Sequence, residues 1–257
     1  MSEHVSVEEA ASGVLLVRLN RPEKKNALTG EMYGALTAAL ARADEDPEIR
    51  AAVITGSGGS FTAGNDLADF LAVANGEVTE RPAGAFIGKL AELRTPLVAA
   101  VDGVAVGIGT TLTFHCDLVY ATPATTFRMP FIDLGLVPEA GSTHLLPTRV
   151  GRVKATELLL LGEPYGAEEA VRLGLVNAVV PAEQLLSHAL EKAARLAAKP
   201  AYALQEARRL IRGHDGALRA ALEAEYAAFT RALRTPDAKV AFDAFMNRSS
   251  TRAAPSG

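Results

Sequence analysis

The sequence lacks a second cysteine to pair with Cys116, and it contains no long apolar run. A single thiol cannot form an internal disulfide, and the apolar neighbours of Cys116 predict a buried, unreactive group in a reducing compartment. No segment approaches the ~20 apolar residues that a membrane-spanning helix needs, and the first residues lack the basic start and apolar stretch of a secretory signal. These absences predict a cytoplasmic protein that does not enter a membrane.

The sequence also lacks an excess of positive charge, because it has 26 Lys and Arg residues and 30 Asp and Glu residues. This balance does not favour nucleic acid as a partner, since nucleic-acid-binding proteins usually present a strongly basic face. The five histidines are scattered without the spacing of metal ligands, so no metal site is expected. The P-loop pattern G-x-x-x-x-G-K-[ST] and the nucleophile elbow G-x-S-x-G are both absent.

Apolar residues are plentiful, at 49% of 257 residues, which is enough for a large core. Apolar runs predict strands at 13–20, 51–55, 96–101 and 118–121. Helical patterns separate these runs, at 29–44 with Thr29 as N-cap, 83–93 and 107–115. Alternating strands and helices predict an α/β fold with a parallel sheet. Beyond Gly151 we expect mainly helices, interrupted by one strand at 175–180.

Two segments rich in small residues, 61–67 and 103–109, each lie between a predicted strand and a predicted helix. Small residues allow a ligand to approach the main chain, and unpaired N–H groups at a helix start favour negative charge. Two such turns together could stabilise an oxyanion that forms during a reaction. On composition alone, however, glycine-rich turns are more often simply tight turns.

Six short segments follow one another along the chain: 21–28 (RPEKKNAL), 54–56 (ITG), 61–66 (FTAGND), 95–103 (TPLVAAVDG), 116–117 (CD) and 174–176 (GLV). In this order and spacing they resemble the crotonase superfamily of enoyl-CoA hydratases and isomerases, between residues 14 and 181. Each segment is a modest signal alone, and their shared order makes the assignment to the superfamily strong.

The resemblance implies an α/β crotonase (ClpP/crotonase-like) fold of repeated ββα units. It implies a core over residues 1–195 that carries the active site. A C-terminal helical region over 196–248 would cover the site and take part in trimer formation, and the tail 249–257 is expected to be disordered. The partners implied are an acyl-CoA thioester and further copies of the chain in a homotrimer or hexamer. No separate cofactor is implied, because coenzyme A is part of the substrate.

The resemblance also assigns site residues. The oxyanion hole would be formed by the main-chain N–H groups of Ala63 and Ile108, which polarise the thioester carbonyl. The phosphates and adenine of coenzyme A would lie near Lys24 and Lys25 and near the turn after Ala63. The residues of that turn are Gly64, Asn65, Asp66 and Leu67.

Two catalytic glutamates of the hydratases in this superfamily are missing from the sequence. Thr111 stands at the position of the first glutamate, and Phe131 stands at the position of the second. Neither side chain can act as a general base or acid near neutral pH. Efficient addition of water by that route is therefore not expected, and both residues are predicted to line the substrate pocket.

A different carboxylate, Glu139, follows Pro138 just before a predicted helix. Taken alone, an acid at a helix start most often serves as a cap. Within the resemblance, Pro138-Glu139 looks like the Δ3,Δ2-enoyl-CoA isomerases of the peroxisomal type, in which this glutamate is the base. The sequence thus predicts an isomerase that shifts a 3-enoyl double bond to the 2-position, with Glu139 carrying the proton.

Three alternatives stay open. Glu139 could act as a nucleophile or as a base toward water, which would give a thioesterase, a hydrolase or a dehalogenase, and ring-type thioesters could be the substrates. Weak hydratase activity is a second alternative. A third is a non-catalytic binding protein with this fold, which the retained Glu139 and the two small-residue turns argue against.

Overall fold

A computed structural model of the chain describes residues 2–11, 13–66, 68, 82–213, 215–242 and 244. The strands are β1 (Val5–Ala11), β2 (Val14–Leu19), β3 (Ala51–Gly56), β4 (Leu97–Val101), β5 (Val104–Val106), β6 (Leu118–Ala121), β7 (Thr126–Arg128), β8 (Tyr165–Gly166) and β9 (Ala178–Val179). The helices are α1 (Gly30–Glu45), α2 (Pro82–Glu92), α3 (Ile108–Thr111), α4 (Ser142–Val150), α5 (Arg152–Leu160), α6 (Ala167–Arg172), α7 (Ala182–Ala197), α8 (Ala201–Arg212) and α9 (Asp215–Ala232). Short 3-10 turns cover Pro22–Lys24, Leu112–His115 and Ile132–Leu134.

The central sheet of the described chain has the strand order β1-β2-β3-β4-β6-β9. β1 runs antiparallel to β2, and the other neighbours are parallel. Strands β3 and β4 are buried on both faces, which explains why they appear in the sequence as continuous apolar runs. One face packs on a large core that includes α1 and α2, and the other packs on α7. The α/β fold class is therefore confirmed.

A second, small sheet in the order β5-β7-β8 was not predicted, because its strands have only two or three residues each. β5 pairs in parallel with β7, and β7 pairs antiparallel with β8. β8 interrupts the helices of the second half, so the prediction of a single strand there is wrong. The small sheet matters for the site, because β5 leads directly into α3.

The predicted strand at 175–180 is largely wrong, since only Ala178 and Val179 are in β9. The N–H groups of Leu175 and Val176 instead donate to the Ala170 carbonyl, at 2.9 and 3.2 Å, and so close the end of α6. The predicted helix at 107–115 is α-helical only to Thr111. The Thr113 hydroxyl donates to the Thr110 carbonyl (2.6 Å) and thereby competes with the main-chain bonds of a longer α-helix.

The other predicted elements agree with the structure to within one or two residues. Thr29 caps α1 as predicted, its hydroxyl accepting a hydrogen bond from the Met32 N–H (3.3 Å). The predicted domain boundary at residue 195 falls in the last turn of α7, and the predicted tail 249–257 lies outside the described residues. No helix in the described part of the chain has the length and apolar character needed to cross a membrane.

Candidate active site

The two small-residue turns contact each other through their main chains. Thr62 forms a bridge to Ala105, and the Val106 N–H donates to the Thr62 carbonyl at 3.0 Å. Gly64, with a φ of +90°, approaches so closely that a Cβ on it would lie 2.7 Å from the Val106 carbonyl oxygen. Glycine is therefore required at position 64, both for its backbone angle and for the space. The turn after β3 and the turn after β5 form one rigid unit.

The structure corrects the assignment of one oxyanion donor. The Ala63 N–H already donates to the Lys25 carbonyl (2.9 Å), so it is not available to a ligand. Asn65 takes its place in the same turn. The Gly64 carbonyl and the Asp66 N–H both bond to Leu28, so the Asn65 N–H between them points away from Leu28. Within the described residues, no acceptor bonds to this N–H.

Ile108 stays a candidate for the second oxyanion donor. It is the first residue of α3, and its N–H has no acceptor within the described residues. Gly107, with a φ of +57°, turns the chain from β5 into this short helix. Because the turns of Gly64 and Val106 are in contact, the structure presents two unpaired main-chain N–H groups, of Asn65 and Ile108, from one rigid unit. Such a pair is the arrangement that stabilises an oxyanion.

Glu139 lies in the loop between the 3-10 turn Ile132–Leu134 and α4, and only 9% of its surface is exposed. Its Oε1 atom has no hydrogen-bond partner within the described residues. Burial, with a smaller contribution from the negative charge of Glu225, raises the pKa of Glu139 to about 8. A buried carboxyl group with an unused oxygen and a pKa near neutrality is suited to general acid–base catalysis.

Tyr33 on α1 bonds to the turn at residues 61–66 (the oxyanion turn) and interacts electrostatically with Glu139. Its hydroxyl donates to the side-chain oxygen of Asn65. Burial raises the pKa of Tyr33, and the negative charge of Glu139 raises it further, so the two groups lie within electrostatic range. Sequence reasoning missed Tyr33, because it adjoins Met32 in the buried stripe of α1 and resembles an ordinary core residue.

Thr111 and Phe131 are both buried, as expected for pocket residues. The Thr111 hydroxyl in α3 has no hydrogen-bond partner within the described residues, and the same is true of the Ser142 hydroxyl at the start of α4. Buried polar atoms without partners are rare in folded proteins and often indicate a place for a ligand or water. The ring of Phe131 lies 4.0 Å from the position that a Cβ of Gly107 would occupy, which places it against the turn that leads to Ile108.

The described residues predicted to contact coenzyme A lie in the turn at 64–66 and in the segment bonded to it. Lys24 and Lys25 are exposed, and the main chain of Lys25 is fixed by its bond from Ala63. Asp66 forms an ion pair of 2.6 Å with Arg21, so its carboxylate holds the Pro22–Lys24 turn against the turn at Gly64. Leu67, also predicted to contact substrate, lies outside the described residues.

Asn26 supports the same region and was not predicted. It is fully buried, and its side-chain amide donates to the carbonyls of Ser57 and Ser60, at 2.9 and 2.7 Å. Its side-chain oxygen accepts from the Arg21 N–H at 2.7 Å. Asn26 therefore joins the exposed lysine segment to the loop that follows β3.

Comparison with known proteins shows the family of the chain. A family model described as Enoyl-CoA hydratase/isomerase matches residues 9–252. The chain belongs to the enoyl-CoA hydratase/isomerase family. A probable enoyl-CoA hydratase (echA8) of Mycobacterium tuberculosis is 34% identical over 249 residues, covering 96% of this chain and 97% of the relative. The 1,2-epoxyphenylacetyl-CoA isomerase of Escherichia coli is 38% identical over 198 residues, covering 75% and 76% of the two chains. The solved structure of Pseudomonas aeruginosa OdaA has a TM-score of 0.90 and 42% identity, covering 96% of this chain and 100% of that one.

Membership of the enoyl-CoA hydratase/isomerase family confirms the predicted superfamily and the crotonase fold. The chain is an enzyme of that family, whose members act on acyl-CoA thioesters. The relatives carry both hydratase and isomerase names, so the family alone does not select the reaction. The side chains around the two N–H groups must decide between these reactions.

Proposed function

We propose that the chain is an acyl-CoA isomerase that moves a 3-enoyl double bond to the conjugated 2-position, with Glu139 as its single acid–base group. The observation that carries the proposal is the buried Glu139 carboxyl, whose Oε1 has no partner within the described residues. A bond shift needs one group that removes a proton and returns it. Hydration would need carboxylates at 111 and 131, where the chain has Thr111 and Phe131.

In the first step, the Glu139 carboxylate removes a proton from C2 of the 3-enoyl thioester. The electron pair moves into the carbonyl, and the resulting dienolate oxygen accepts hydrogen bonds from the Asn65 and Ile108 N–H groups. Burial supports this step, because the raised pKa of Glu139 makes its carboxylate a stronger base toward a weak carbon acid.

In the second step, Glu139 returns the proton to C4, and the double bond then lies between C2 and C3. No water takes part. The buried ring of Phe131 supports the exclusion of water from the side of Gly107, where a hydratase would need a polar acid. We propose that coenzyme A lies along Lys24, Lys25 and the turn from Gly64 onward, and that the enzyme works as a homotrimer or a hexamer.

The proposal is tested with purified protein and 3-hexenoyl-CoA, by following the absorbance of the conjugated thioester product. The wild type is expected to form this product, and Glu139→Gln is expected to lower kcat by roughly 10³-fold or more, because one group performs both proton transfers. Glu183→Gln, which changes an exposed glutamate of α7, is the matched control and should retain wild-type kcat. Full activity in Glu139→Gln would refute the proposal.

A second candidate reaction is the isomerisation of a ring-type thioester. It is favoured by the 38% identity to a relative named 1,2-epoxyphenylacetyl-CoA isomerase. The same proteins assayed with an epoxide thioester would separate the two substrates by their kcat/KM values. Loss of conjugation in 2-hexenoyl-CoA would reveal hydration, and an acyl group trapped on Glu139 would indicate a hydrolase.

A further inference from the structure

The turn that presents Glu139 has an unusual backbone. Ala140, with a φ of +60°, and Gly141, with a φ of +71°, are consecutive residues in the left-handed region. Alanine rarely adopts this conformation, because its Cβ approaches the neighbouring carbonyl too closely. A residue held in such a conformation requires contacts from its surroundings that fix it, and such residues cluster at functional sites.

Those contacts come from Glu225, a buried residue of α9. Its Oε2 accepts a hydrogen bond from the Gly141 N–H at 2.6 Å. Its Oε1 accepts from the Thr143 N–H at 2.8 Å and from the Thr143 hydroxyl at 2.6 Å. Three donors directed at two oxygens are the pattern of an ionised carboxylate, and they oppose the burial that raises the pKa of Glu225.

Glu225 supplies the side-chain acceptor that the N-cap residue of a helix usually provides. Gly141 is the N-cap residue of α4 and has no side chain to accept from the first N–H groups of the helix. A carboxylate from a helix 84 residues further along the chain caps them instead. Leu218, also on α9, lies so close to Gly141 that a Cβ there would be 2.5 Å from its Cδ1 atom.

Other titratable groups also surround this turn. The buried His115 bonds through its Nε2 to the Ala140 carbonyl at 2.7 Å, and its pKa of about 4 keeps it neutral in physiological conditions. Tyr33 interacts electrostatically with Glu139, and His144 with Glu225. Arg149 and Arg212 lie on the far side, where both interact with His115. Of these groups, Glu225 is the one that both bonds to the turn and adds to the effect of burial on Glu139.

We propose that Glu225 is a positioning residue for catalysis: its carboxylate caps α4, fixes the turn at Ala140 and Gly141, and thereby holds Glu139 in place for proton transfer. The proposal rests on the proposed function of Glu139 as the acid–base group. It connects helix α9 to the turn that follows the reacting carboxyl, so this helix contributes to the rate as well as to the fold.

The experiment compares Glu225→Gln with Glu223→Gln, which changes an exposed glutamate on the same helix. Glutamine is nearly the same size as glutamate, but one of its two acceptor oxygens is replaced by an NH2 donor. That donor would meet the N–H group of Gly141 or Thr143, so one of the present hydrogen bonds would be lost. We expect Glu225→Gln to lower kcat for 3-hexenoyl-CoA by roughly 10- to 100-fold while KM changes by less than about threefold. Glu223→Gln should leave both constants within about twofold.

A second readout does not need turnover. The Glu139 carboxyl can be titrated by NMR in protein labelled with 13C at the glutamate carboxyl, and Glu139→Gln assigns the signal. The wild-type midpoint is expected at about 8, and loss of the neighbouring charge in Glu225→Gln should lower it. Thr143→Val keeps this charge and removes one hydrogen bond, so it should lower kcat by a smaller factor and leave the midpoint in place.

The outcomes separate the two proposals. Folded Glu225→Gln with wild-type kcat overturns the positioning role, whether or not the midpoint moves. If Glu225→Gln does not fold, unchanged kcat in Thr143→Val overturns it instead. If the wild type does not isomerise 3-hexenoyl-CoA, the proposed function fails. In that case the NMR midpoint decides whether Glu225 controls Glu139, and an unchanged midpoint overturns the role.

Discussion

The oxyanion turns and the Glu139 turn both carry candidate catalytic groups, but different forces hold them. Main-chain hydrogen bonds fix the oxyanion turns, such as that from Val106 to Thr62, together with the close approach of Gly64 to Val106. Side chains from distant elements fix the Glu139 turn, through His115 and Glu225. The oxyanion turns should therefore tolerate changes of side chain but not of backbone space. The Glu139 turn should respond to charge and to pH.

Apart from loss of Glu139 itself, the largest effect on kcat is expected from Gly64→Ala. Alanine at position 64 would have to adopt a φ of +90°, and its Cβ would lie 2.7 Å from the Val106 carbonyl oxygen. The two turns must therefore separate. We expect kcat to fall by roughly 10²- to 10³-fold, as on loss of an oxyanion donor. Gly34→Ala is the control, because nothing lies within 4 Å of the new Cβ in α1. A Gly64→Ala variant with wild-type kcat would show that the turns are not one rigid unit.

The second prediction is that ionisation of Glu139 lowers the free energy of unfolding at high pH. The folded state holds the Glu139 proton more tightly than the unfolded chain, because the pKa is raised from 4.5 to about 8. The free energy of unfolding of the wild type should therefore decrease as the pH rises between these values. Glu139→Gln cannot ionise, so it should be more stable than the wild type at pH 9, by up to roughly 5 kcal/mol, and by little at pH 4. Urea unfolding of both proteins at pH 4 and pH 9 measures these free energies. If the variant differed from the wild type by the same amount at both pH values, the pKa of Glu139 would not be raised by burial.

His115 should give the opposite dependence on pH. Burial lowers its pKa from 6.5 to about 4, so the unfolded chain binds the proton more tightly. The free energy of unfolding should fall as the pH decreases through this window, by up to roughly 3 kcal/mol. His115→Gln retains an N–H donor for the Ala140 carbonyl without a charge and should remove that loss. An unchanged slope in thermal unfolding between pH 6.5 and 4 would indicate that another group is responsible.

The smallest effect is expected from Tyr33→Phe, which removes the hydroxyl that donates to Asn65 and keeps the ring packed on Phe86. Because the main chain of Asn65 stays bonded through its neighbours to Leu28, we expect kcat to fall by only about 10-fold. Tyr202→Phe, at an exposed position, is the control. A fall as large as that of Gly64→Ala would mean that side chains also hold the oxyanion turn.

Much of this site could be predicted from the sequence, and the exceptions share a cause. Apolar runs are sufficient to locate strands β2, β3 and β4, and the resemblance supplies Ile108 and Glu139. The choice between Ala63 and Asn65 depends on the bridge from Leu28 to Asn65, a contact between residues far apart in sequence. Two residues of one turn cannot be distinguished without it.

Glu225 escaped prediction for a similar reason. It lies in the helical segment LEAEYAAF, on the same stripe as Leu222 and Phe229, whereas Glu223 lies on another face. That stripe indicates burial of Glu225, but only the packing of α9 on the start of α4 brings its carboxylate to the N–H groups of Gly141 and Thr143. Patterns along one helix report its own faces, and they do not report which distant N–H group a carboxylate will meet.

The main-chain origin of the two oxyanion donors has a consequence for the diversity of reactions on this scaffold. Asn65 and Ile108 would bind the thioester oxygen through their main-chain N–H groups alone, so neighbouring side chains can be exchanged without removing these hydrogen bonds. Installing glutamates at 111 and 131 in place of Thr111 and Phe131 would then redirect the same cradle toward water addition. New chemistry on such a frame requires only the relocation of a carboxylate.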